Sequence, residues 1–161
     1  MLTARTKSAD DTRALAAELA AVARPGDLIL LAGDLGAGKT TFVQGFGRAL
    51  SVEAPITSPT FVIVHTYEGS LPVVHVDAYR LEHLQELVDL GIGELFDEQG
   101  VTLIEWGDAV IPALPPEFLE VRLEMGDDDD ARVVRLRASG STWAVRDDAL
   151  RGALGRWVVE A

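Results

Sequence analysis

A chain of 161 residues with 14 Lys and Arg against 26 Asp and Glu carries a formal net charge of −12. That length suffices for one domain with its own core, and the absence of cysteine excludes disulfides, thiolate nucleophiles, Cys-ligated zinc and iron–sulfur clusters. The acidic balance argues against autonomous binding of nucleic-acid phosphates; in a nucleic-acid pathway, a partner would hold the nucleic acid.

Met1 to Asp11 is polar and lacks the apolar centre of a signal peptide. No apolar run approaches the roughly 20 residues that span a bilayer, so the expected location is the cytoplasm. Asp10, Asp11 and Thr12 read as the cap of a helix with Leu15, Leu19 and Val22 on its apolar face, ended by Pro25 and Gly26. Asp27 to Ala32 (DLILLA) is a continuous apolar run, as in a buried parallel strand. A glycine-rich turn follows, then a helix from Lys39 to Leu50 with Phe42, Phe46 and Leu50 on one face. Ser51 to Thr60 reads as a loop, Phe61 to Tyr67 and Val73 to Val76 as strands, Leu81 to Leu90 as a short helix, and Val101 to Ile104 as another strand. Phe118 to Met125 and Ala131 to Ala138 alternate apolar and polar residues around the acidic turn Asp127 to Asp130, which predicts an antiparallel hairpin. Thr142 to Val158 reads as a closing helix. The whole, residues 1–161, reads as one α/β domain with a mixed sheet, parallel at its centre.

Gly33-Asp34-Leu35-Gly36-Ala37-Gly38-Lys39-Thr40 matches G-x-x-x-x-G-K-[ST]. Glycines there allow positive φ and bring backbone N–H groups up to phosphate oxygens. The following helix points its positive dipole end at the same anion. On this pattern Gly36, Ala37 and Gly38 cradle a nucleoside triphosphate, Lys39 reaches the β- and γ-phosphates, the Thr40 hydroxyl ligates Mg²⁺, and Thr41 contacts the α-phosphate side. Asp77 and Glu105 each close an apolar strand, where an acid can hold Mg²⁺, orient water or simply cap a helix. Ser58-Pro59-Thr60 reads first as an ordinary proline turn capped by Ser58, and second as a loop placed to sense a γ-phosphate. His65, His75 and His83 have no metal-ligand spacing and read as packed or partly exposed side chains. No Asn/Thr-Lys-x-Asp element that reads guanine is present, which favours ATP.

The stretches GDLGAGKTTF (Gly33 to Phe42), SPTF (Ser58 to Phe61), HVDAYRL (His75 to Leu81), Leu87 with Gly91-Ile92, and LIEW (Leu103 to Trp106) together resemble the bacterial TsaE (YjeE) ATPases, in that family's order. The resemblance implies a P-loop NTPase-like three-layer domain with a C-terminal antiparallel hairpin. It implies Mg-dependent ATP hydrolysis in making N6-threonylcarbamoyladenosine at position 37 of tRNA, with TsaD and TsaB as partners and tRNA engaged only through them. By the same resemblance Lys39 holds phosphates, Thr40 and Glu105 bind Mg²⁺, Asp77 supports hydrolysis, Thr60 senses the γ-phosphate, and Trp106 lies beside the site. The region Ala9 to Thr12 approaches the adenine. The C-terminal third departs from the family: its hairpin carries four aspartates followed by Arg132, the residue expected to take over a nucleotide contact. A P-loop small-molecule kinase and a nucleotide-dependent switch without useful turnover are the competing readings. A kinase would normally add an arginine-rich lid, whereas Arg80 alone follows the middle strands.

Overall fold

The computed structural model describes residues 1–34, 36–57, 64–77, 99–105 and 114–160. Among these residues seven strands form one open mixed sheet in the order β1-β7-β6-β2-β5-β4-β3. The strands are β1 (Leu2–Thr6), β2 (Leu28–Ala32), β3 (Val64–Tyr67), β4 (Val73–Asp77), β5 (Val101–Glu105), β6 (Phe118–Met125) and β7 (Arg132–Ser139). The helices are α1 (Ala9–Val22), α2 (Lys39–Ala49), α3 (Ser141–Ala144) and α4 (Asp147–Leu154). β6, β2, β5 and β4 run parallel at the centre, and β1, β7 and β3 pair antiparallel at the edges.

The central strands are apolar because both of their faces are closed to water. All five residues of β2, β4 and β5 are buried. Ile29 and Leu31 of β2 share one apolar cluster with Leu15 and Leu19 of α1, Phe42 and Phe46 of α2, and Trp143, Leu150, Leu154 and Trp157 near the C-terminus. Phe42 and Phe46 are fully buried, with ring centroids 6.3 Å apart; truncating either to alanine should cost about 3–5 kcal/mol. α1 and α2 approach closely at Gly45, where an added Cβ would lie 2.2 Å from the Arg13 carbonyl oxygen.

The hairpin over the acidic turn forms as expected, with Phe118 opposite Ser139 and Met125 opposite Arg132, and Asp127 to Asp130 are exposed. Two expectations need correction, and one strand was not anticipated. The polar N-terminus forms β1, whose Leu2, Ala4 and Thr6 are buried against β7. Ser8 caps α1, accepting from the Asp11 N–H at 3.1 Å, while Asp11 accepts from the Lys7 N–H at 2.9 Å; the Asp10–Thr12 segment is the first turn itself. The closing helix is two, α3 and α4, broken where Arg146 turns inward, and Val158 then bridges back to Ala4. The helix expected over Leu81 to Leu90 lies outside the described residues. Among the described residues no helix is long and apolar enough to cross a membrane.

Candidate functional site

Parallel strands aim their C-terminal ends at one edge of the sheet, and the candidate residues collect there. β2 ends at Ala32 and passes into the glycine turn. Gly36 has φ of +81° and Gly38 +103°, a backbone that residues with a Cβ rarely adopt. Gly38 is also the N-cap of α2, and no side chain caps that helix start. The first-turn N–H groups are therefore left for an anion at the positive end of the helix. Lys39 is buried and curls back over the loop, its Nζ donating to the carbonyl oxygens of Gly33 at 2.8 Å and Asp34 at 2.9 Å.

Asp77 and Glu105 face each other in register at the ends of β4 and β5. Both are buried. The Thr40 hydroxyl donates to Glu105 Oε1 at 3.2 Å, which joins the start of α2 to the end of β5. A hydroxyl beside one or two carboxylates suits Mg²⁺, which keeps several waters and takes further oxygens from phosphates. No group of three or more His, Asp or Glu that would cage a metal occurs among the described residues. His75 Nε2 lies 3.3 Å from the same Glu105 oxygen, an approach whose geometry is not that of a hydrogen bond.

Arg132, at the start of β7, reaches the glycine turn from the hairpin. Its Nε donates to the Ala37 carbonyl at 2.9 Å and one Nη to the Gly36 carbonyl at 3.3 Å, while the other Nη donates to the Asp129 and Ala131 carbonyls. Ala9, Thr12, Gly38, Thr41, Asp130 and Arg132 line a small cleft beside the loop. Ala9 and Arg132, singled out separately in the sequence, thus line one cleft with Thr41. Of the four aspartates, Asp130 enters that lining.

Thr60, with the rest of Ser58 to Phe61, and Trp106 lie outside the described residues. The segment leading to Thr60 is anchored, however: Gln44 of α2 donates to the Ile56 carbonyl at 2.9 Å and accepts from Arg13 Nε at 3.2 Å. Sequence reasoning did not find this tether, because it pairs residues of three separate elements. His75, read as a packed or partly exposed side chain, is fully buried, and it shares a face with Asp77, two residues on in the same strand. In β3, burial pushes the Tyr67 hydroxyl pKa above its ordinary value of 10.0, against a smaller opposing effect of the Thr57 backbone.

The family model described as threonylcarbamoyl adenosine biosynthesis protein TsaE matches residues 6–134. The tRNA threonylcarbamoyladenosine biosynthesis protein TsaE of Bacillus subtilis is 44% identical over 130 residues, covering 80% of this chain and 81% of that one. The Streptomyces coelicolor protein of the same name is 42% identical over 142 residues, covering 84% and 95%. The crystal structure of Bacillus subtilis YdiB superposes with a TM-score of 0.79 at 38% identity, covering 96% of this chain and 94% of that chain. The match over most of the chain, in sequence and in fold, establishes that it belongs to the TsaE family of tRNA threonylcarbamoyladenosine biosynthesis proteins.

Proposed function

We propose that this chain is a cytoplasmic, Mg-dependent ATP hydrolase of the P-loop NTPase-like, three-layer type, working with TsaD and TsaB partners that carry the tRNA. The observation that carries the reading is one cluster: an uncapped helix start after positive-φ glycines, the Lys39 ammonium resting on loop carbonyls, and Thr40 bonded to the buried Glu105. N–H groups of the Gly36–Thr41 stretch bind the phosphate oxygens. Lys39 exchanges the Gly33 and Asp34 carbonyls for β- and γ-phosphate oxygens, trading neutral acceptors for charged ones. Thr40 and Glu105 would hold Mg²⁺, which would supply positive charge against the phosphates. Asp77, opposite Glu105, orients the attacking water and takes its proton. Thr60 senses the γ-phosphate, and Ala9, Thr41 and Arg132 flank the nucleoside side.

Two experiments test this. Glu105→Ala should retain nucleotide but lose Mg-dependent hydrolysis by roughly 100-fold, the scale of a few kcal/mol expected when metal-held charge stabilisation is removed. Hydrolysis at the normal rate would remove Glu105 from its assigned role. Deleting the gene should deplete threonylcarbamoyladenosine in tRNA. Unchanged levels in a cell with no second copy would end the pathway assignment.

A further inference from the structure

His75 lies at the centre of β4 with none of its surface exposed. Neither Nδ1 nor Nε2 makes a hydrogen bond. Leaving a buried polar group unpaired costs about 1–3 kcal/mol, so an apolar side chain of similar size would serve packing better. The ring is nevertheless held with Nε2 3.3 Å from Glu105 Oε1. That oxygen is the one to which the Thr40 hydroxyl also donates. If Thr40 turns its hydroxyl oxygen toward a cation, Oε1 loses this donor while remaining buried. His75 Nε2–H then stands as the nearby donor able to hold the carboxylate.

We propose that His75 is a positioning residue for Glu105. Its Nε2–H forms a full hydrogen bond to Oε1 when Thr40 and Glu105 engage Mg²⁺, and so fixes the direction of the carboxylate. The inference rests on the reading of Thr40 and Glu105 as Mg²⁺ ligands. Donors behind a ligating carboxylate typically change metal affinity 10–100-fold when removed. His75 touches neither phosphate nor metal; it acts through Glu105 alone.

The test uses the full chain with His75→Leu and His75→Gln. ATP affinity is titrated in chelator and across Mg²⁺ concentrations, and melting is followed without nucleotide. For His75→Leu the melting temperature should stay level or rise, because an unpaired polar group has been removed. Its ATP affinity in chelator should remain within about twofold of wild type, and the Mg²⁺ concentration for half-maximal effect should rise about tenfold. His75→Gln, whose amide N–H falls near the position of Nε2, should restore most of the Mg²⁺ response. A Leu variant with wild-type Mg²⁺ dependence would overturn the proposal, as would Leu and Gln variants impaired equally and in step with their melting. If wild type itself shows no Mg²⁺ dependence, the metal reading fails and the proposal falls with it. Nitrogen NMR of the histidine ring gives a check independent of nucleotide: protonation on Nε2 is expected, and protonation on Nδ1 would leave no donor for Glu105.

Discussion

The two ends of the parallel strands bury charge in opposite ways. At the N-terminal end Asp27, just before β2, meets Arg146 in a bidentate pair at 2.6 and 2.8 Å. Asp27 also accepts from the Arg24 N–H, and Arg146 donates further to the Val22 and Thr142 carbonyls and covers the Trp143 ring at 3.8 Å. Every charged atom there is matched. Trp143 Nε1 lacks a partner, but it is a neutral donor on a ring already packed. At the C-terminal end Glu105 shares one oxygen with Thr40, and His75 stands beside it with both nitrogens unbonded. A saturated cluster is arranged to hold the fold together. An under-saturated one is arranged to take up something else.

The sharpest way to break this contrast is to disturb the saturated end. Arg146→Met leaves the Asp27 carboxylate buried without its partner, and removing one member of such a pair costs about 3–5 kcal/mol. For a chain of this length that corresponds to a fall in melting temperature on the order of 10 °C. Adding Asp27→Leu should recover most of the loss, since replacing both charges with apolar groups is often neutral or better. ATP affinity, measured well below the melting range, should not move. A loss under about 1 kcal/mol for Arg146→Met, or a double variant no better than the single, would mean that the pair is not what secures this end.

Disturbing the other end should show the reverse pattern. Arg132→Ala removes the link between the hairpin and the Gly36 and Ala37 carbonyls. Gly36 is exposed although Ala37 is buried, and with the guanidinium gone water can re-solvate these carbonyls, so stability should fall by only about 1 kcal/mol. ATP affinity should fall about fivefold, the equivalent of a similar free energy. Denaturant unfolding and ATP titration on the same sample separate the two. If affinity is untouched while stability drops, Arg132 belongs with the structural contacts and the boundary between the two ends must be redrawn.

The same contrast explains what could be read from sequence. The glycine turn ahead of α2 was legible because its backbone demands particular residue types at fixed spacing. β2, β5 and the β6–β7 hairpin were legible from apolar runs and alternation. β1 was not, since the short LTART stretch offers one large apolar residue and owes its place to pairing with β7, far along the chain. The α3–α4 break was missed because a tertiary contact, Arg146 to Asp27, overrides a helical pattern that the local sequence supports. At the site, Asp77 and Glu105 were visible as strand-end acids. Their pairing, and the approach of His75 to Glu105, depended on β4 lying beside β5 in a register that no local signal specifies.

The smallest expected effect lies in the exposed partner of the saturated end. α3 is held there twice, by Arg146 in the interior and by Glu117 at the surface. Glu117 accepts from the Thr142 N–H at 2.7 Å and from the Ser141 hydroxyl at 3.3 Å. The Thr142 bonds, with lesser help from Ser141, hold its carboxyl below the ordinary value of 4.5. A carboxyl whose pKa is depressed in the folded state stabilises the fold above its unfolded pKa. That contribution fades as pH falls past about 4.5 and is gone once pH passes below the folded value. Unfolding of wild type and Glu117→Gln should therefore differ slightly at neutral pH and converge in acid. Full exposure keeps the difference small. A gap that persists at low pH would assign the contact to hydrogen bonding independent of charge, whereas convergence makes Glu117 the screened, surface counterpart of the buried Asp27.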